Sequence, residues 1–165
     1  MSIDAKTPEE VEIHFRSMMD SVTTINEAMA MDFGSEAKMM LIRNLPHLEM
    51  MLSRPHIISD ERDKTVFSDA VAAGRQHLIE NLFLIIQANS SSIDSEINQD
   101  ITDERKQSII ENYISIEKLL LERVVVSDTR DKRSFFQSAE NAHRYLVQNL
   151  SEVEMISVLK RVYAF

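Results

Sequence analysis

Apolar residues recur at alternating steps of four and three through most of the chain. In the first stretch Val11, Phe15, Met18, Val22, Ile25 and Met29 follow this rhythm, which keeps one side of an α-helix apolar. Thr7-Pro8-Glu9-Glu10 precedes it, with threonine at the N-cap, proline at the first helical position and glutamate at N3. Side chains can there satisfy N–H groups that lack a helical partner. The spacing predicts a helix from Pro8 to just before Gly34, a residue suited to a C-terminal stop. Ser35 is placed to cap a second helix with Met40, Leu41, Leu45, Leu48 and Leu52 on its apolar side, a bend or break at Pro46 and an end at Arg54-Pro55. A third helix opens at Ser59-Asp60-Glu61 and runs to about Gln87, with Phe67, Val71, Leu78, Leu82 and Ile85 facing a core.

Residues 88–101, ANSSSIDSEINQDI, interrupt the rhythm and read as a polar, serine-rich linker. Beyond it Thr102 caps a fourth helix carrying Ile109, Tyr113, Ile116, Leu120 and Val124, and SDTRD marks its end. A fifth helix presents Phe135, Ala139, Ala142 and Leu146 up to Leu150. Ser151-Glu152-Val153-Glu154 has the capping-box spacing and begins a sixth, whose apolar positions are Val153, Ile156, Val162 and Phe165. No residue-level repeat relates the two halves. The elements predict an all-α, single-domain, up-and-down helical bundle of five or six helices, made of helical hairpin halves at about 8–87 and 102–165 joined by the 88–101 linker.

Composition agrees and narrows the chemistry. Two glycines and three prolines leave little for the turns of an all-β fold, and 165 residues are enough to enclose one core. With no cysteine there is no disulfide, thiolate metal site or cysteine nucleophile. The start, MSIDAKTPEE, lacks the basic and apolar regions of a secretory signal. Apolar runs are too short for a bilayer, so the expected location is cytoplasmic with no membrane partner. The net charge is −9, and residues 1–34 hold two basic against seven acidic residues. Such a surface does not displace counterions, so no direct nucleic-acid binding is expected. The densest basic group, Arg130, Lys132 and Arg133, is interleaved with Asp128 and Asp131, which cancel most of its charge.

Candidate chemistry is sparse. Phosphate loops, dinucleotide fingerprints and paired-histidine zinc motifs are missing from the sequence. A single E-x-x-H, Glu140-Asn141-Ala142-His143, puts a carboxylate and an imidazole one turn apart. With Glu10 and His14 it could complete a metal site if the first and fifth helices face each other, whereas the plainer alternative is local pairing of each histidine with its own glutamate. His47 and His77 raise axial haem ligation, which Pro46 and the break at Arg54-Pro55 argue against. No cofactor is expected. In the third helix Gly74 stands among Ala70, Ala73 and His77. A mid-helix glycine costs about 1 kcal/mol relative to alanine, so either a ligand or the close approach of a neighbouring helix must offset it.

Eight of the ten methionines fall between Met18 and Met51. The thioether chain fills irregular core gaps and also lines surfaces that accept varied partner helices. Neighbours such as Met39 and Met40, or Met50 and Met51, point about 100° apart, so both members cannot face one narrow core. Either these helices lie centrally or part of their surface is an interface. The function expected is a non-enzymatic regulator or adaptor acting through protein partners, with self-association as a homodimer. Met19, Met31, Met39, Met50 and Met51 form its adaptable surface and Phe165 is an anchor. The alternative is a ligand- or metal-binding helical protein using Glu10, His14, Glu140 and His143.

Overall fold

The computed structural model describes residues 7–54 and 61–163. Among them the chain is all-α, with seven helices and no strand: α1 (Pro8–Ala30), α2 (Ser35–Leu52), α3 (Glu61–Glu96), α4 (Asp103–Leu120), α5 (Arg123–Val126), α6 (Arg133–Asn149) and α7 (Glu152–Tyr163). The helix beyond the expected five or six is α5. It arises because the stripe predicted to run from Ile109 to Val124 stops at Leu120 and resumes as one separate turn. Contacts divide the chain into two compact units that meet in sequence between Glu80 and Asn81, so α3 contributes to both.

In the first unit, α1 starts as its sequence requires, with Thr7 Oγ1 accepting the Glu10 N–H at 3.2 Å. Gly34, rather than Ser35, occupies the cap position of α2, and Ser35 is its first helical residue. Pro46 lies inside α2 without ending it. Its ring is on the exposed side, where the Ile42 carbonyl that loses its N–H partner can turn to water. The apolar stripes meet in a core of Met18, Ile25, Leu41, Leu48, Phe67 and Leu78, all fully buried. Phe15 and Phe67 touch edge to face, with ring centroids 5.7 Å apart. At the centre of this unit Gly74 brings α3 against α1 and α2. A Cβ built there would stand 2.9 Å from Ile25 Cγ2 and 2.9 Å from Leu45 Cδ2. Close helix approach therefore offsets the low helix propensity of this glycine.

The second unit contains the rest of α3 and α4 to α7, with α4 packed on both α6 and α7. Thr102 Oγ1 accepts the Arg105 N–H at 3.1 Å, and the Ser151/Glu154 capping box closes in both directions, at 3.2 and 3.0 Å. The expected linker is not one: α3 continues through its first nine residues to Glu96, with Asn89, Ser90 and Ile93 buried. Ile86 rather than Ile85 enters the core, in helical step with the buried Leu82, Asn89 and Ile93. In α7 the buried residues are Met155, Val158 and Val162, whereas Val153 and Ile156, expected on the core side, face outward.

Candidate functional site

Three features stand out, one in the first unit and two in the second. On α2, Met39, Arg43, Pro46 and Met50 follow steps of four, three and four and are all exposed, opposite the buried Leu41, Leu45 and Leu48. Met39 is 47% exposed and Met50 45%, so this helix turns two flexible apolar chains outward while its other side is sealed. Leu52, two residues after Met50, lines an open groove of about 420 Å³ with Ser68, Val71, Ala72, Arg75, Gln76 and Ile79. Arg75 forms an ion pair with Glu49 beside it.

The other expected surface methionines fare differently. Met51 is only 3% exposed and belongs to the core, because the residue after Met50 turns about 100° back toward the packed side. Met19 and Met31 are half-buried on α1 and at its C-cap. Phe165 lies outside the described residues. The methionine-rich third thus serves both uses: Met18 and Met51 fill the interior, and Met39 and Met50 remain at the surface.

The second feature is a polar seam where α3 meets α4 and α6. Asn89 Nδ2 donates to Ser115 Oγ at 2.7 Å, and Asn112 Nδ2 to Ser92 Oγ at 3.2 Å. Ser92 and Ser108 both donate to Glu96 Oε1, at 3.2 and 2.8 Å. Ser138 Oγ lies 2.6 Å from Ser90 Oγ and donates to Asp94 at 2.8 Å. Small hydroxyl side chains let the helices approach while meeting one another's hydrogen-bonding needs. Composition alone reads this stretch as linker. The signal that identifies it is positional, since Asn89, Ser92 and Glu96 on one helix and Ser108, Asn112 and Ser115 on the next each keep helical spacing. At its open end a cleft of about 800 Å³ is lined by Ser95, Glu96, Gln99, Thr102, Asp103, Glu104, Arg105 and Ser108. Glu96 Oε2 is shielded from solvent there and accepts no hydrogen bond.

The third feature is a group around the E-x-x-H histidine. The His143 ring lies 5.9 Å from that of Tyr113, and its charge acts on the Glu117 carboxyl of α4. Burial raises the Glu117 pKa, a shift that His143 partly opposes; burial also raises the Tyr113 phenol, helped by the Glu117 charge. Glu140 pairs with Arg144 at 3.2 Å and Glu10 is exposed. Among the described residues no three histidine, aspartate or glutamate side chains stand close enough to hold a metal ion. His47, the haem candidate on α2, has Nε2 3.2 Å from Ser17 Oγ, and the His77 ring stands edge-on to Phe33.

The Glu117 shift has a consequence for stability. A carboxyl whose folded pKa is raised stays neutral longer in the fold than in the unfolded chain, so its ionisation weakens the fold as pH rises through the folded value. Glu117→Gln is expected to stabilise the protein at pH 7. The gain should disappear below the ordinary carboxylate range, where Glu117 is protonated in both states. Urea midpoints at pH 7 and pH 3 check this, and a gain equal at both pH values contradicts it.

The basic group at 130–133 is neutralised as the sequence implies. Arg130 bonds Asp128 at 2.9 Å and stacks its guanidinium 4.0 Å above the Phe83 ring, while Arg133 bonds Asp131 at 2.7 Å and holds that carboxyl at about 2. Among the described residues no helix is long and apolar enough to cross a membrane. Compared with known proteins, the chain matches no family model, no curated protein and no solved structure.

Proposed function

We propose that this protein is a non-catalytic cytoplasmic adaptor or regulator that works through protein contacts, with the outward side of α2 as a contact surface. In this reading its helices pack up and down as a bundle. The observation that carries it is the exposure of Met39 and Met50 on one line of a helix whose opposite line is buried. Methionine suits that use because its unbranched chain repacks against different partner shapes. Arg43, between the two methionines, adds a cation that selects a partner with a carboxylate at the matching position. A symmetric antiparallel pair of α2 helices would bring two Arg43 guanidinium groups together near its axis. The stripe therefore fits another protein better than a second copy.

A photoactivatable residue in place of Met50 tests this in the protein's own cells. The expected result is a discrete adduct heavier than the chain, lost when Met39→Glu is added. Absence of any adduct, or an adduct indifferent to Met39→Glu, overturns the reading. Both positions are exposed, so the circular dichroism of the variants should match that of the parent.

A further inference from the structure

The helix α7 has two apolar sides. Met155, Val158 and Val162 are buried, whereas Val153, Ile156 and Tyr163 are 78, 53 and 49% exposed. The exposed three share one arc of about 100° with Glu152 and Lys160. The other charges of this helix are engaged: Arg161 makes two bonds of 2.8 Å to the Glu111 carboxylate, and Glu154 closes the capping box. Neither Glu152 nor Lys160 forms an ion pair with another described residue.

We infer that α7 is a self-association surface, on which a second copy of this chain docks its own α7 antiparallel across a twofold axis at Ile156. Glu152 lies four residues before Ile156 and Lys160 four residues after it, about 6 Å to either side along the axis. Antiparallel pairing therefore aligns Glu152 of one copy with Lys160 of the other, twice, with the two Ile156 side chains in contact between them. Parallel pairing would oppose like charges at both places. A second copy carries this spacing by construction, so the pattern is self-complementary in the isologous sense. One helix from each copy buries little area, which places the contact among weak, concentration-dependent dimers.

Sedimentation equilibrium of the full chain over a wide concentration range, at low and high salt, tests the assignment. A monomer–dimer equilibrium that weakens with salt is expected. Ile156→Glu should leave only monomer with unchanged circular dichroism. Glu152→Lys and Lys160→Glu should each weaken the dimer about tenfold, since each replaces two attractions by two repulsions. The two together should restore it. A parent that stays monomeric throughout, a dimer that survives Ile156→Glu, or a double exchange no better than either single change overturns the assignment. Met39→Glu should leave the mass unchanged, so failure here is distinct from failure of the α2 contact surface.

Discussion

Gly74→Leu is expected to unfold the first unit. The glycine has no room beside it: an added Cβ already lies 2.9 Å from Ile25 Cγ2 and from Leu45 Cδ2, with Leu41 Cδ2 at 3.6 Å. All three neighbours are buried, and leucine adds three further carbons to that first one. Overpacking of this kind typically costs about 1–3 kcal/mol, and more where several helices must part together. Gly74→Ala is the more informative variant, because two effects oppose each other. Helix propensity favours alanine by about 1 kcal/mol. Against that, Leu45 Cδ2 can swing aside, but Ile25 Cγ2 is fixed to a β-branched carbon and moves only with its whole side chain or backbone. The steric effect should win, giving a net loss of about 1 kcal/mol in urea denaturation followed by circular dichroism. In an Ile25→Ala background the obstructing methyl is gone, and the same Gly74→Ala change should become stabilising. If its effect has the same sign in both backgrounds, close approach is not what places glycine there.

Much of the architecture is legible before any coordinates. The caps at Thr7, Thr102 and Ser151 are found where the sequence puts them, because each depends on a few adjacent residues whose hydrogen bonds are local. The demand for small volume at Gly74 is legible for a similar reason: its helical cost is intrinsic and something must oppose it. What is not legible depends on a neighbour. Residues 88–96 have the composition of a linker, and they are helical because Ser108, Asn112, Ser115 and Ser138 on other helices satisfy their side chains. In α7, period alone marks two apolar lines, and only the packing of α4 and α6 decides which is inward. The exposed methionines were likewise half readable. The 100° argument shows that Met50 and Met51 cannot both be buried on one narrow side, but not that Met51 is the one enclosed.

Ser138 should be the most sensitive polar position in the second unit. It is 2% exposed, and its single proton goes to Asp94, so Ser90 must donate to its oxygen at 2.6 Å. Ser138→Leu loses both bonds and forces a large side chain between α3 and α6, so the overpacking cost of about 1–3 kcal/mol adds to that of an unpaired buried hydroxyl. Ser138→Ala isolates the second part. Asp94 is exposed and can turn to water, but Ser90 is buried and is left as a donor without an acceptor, at a cost of about 1–3 kcal/mol. Removing Ser90 as well takes away the orphaned group. Ser90→Ala/Ser138→Ala should therefore be no less stable than Ser138→Ala, and a double-mutant cycle should return a coupling of about 1 kcal/mol. Additive losses would mean that the two hydroxyls act separately. The seam would then be a set of incidental contacts, without the mutual satisfaction that lets a serine-rich segment continue a helix through the interior.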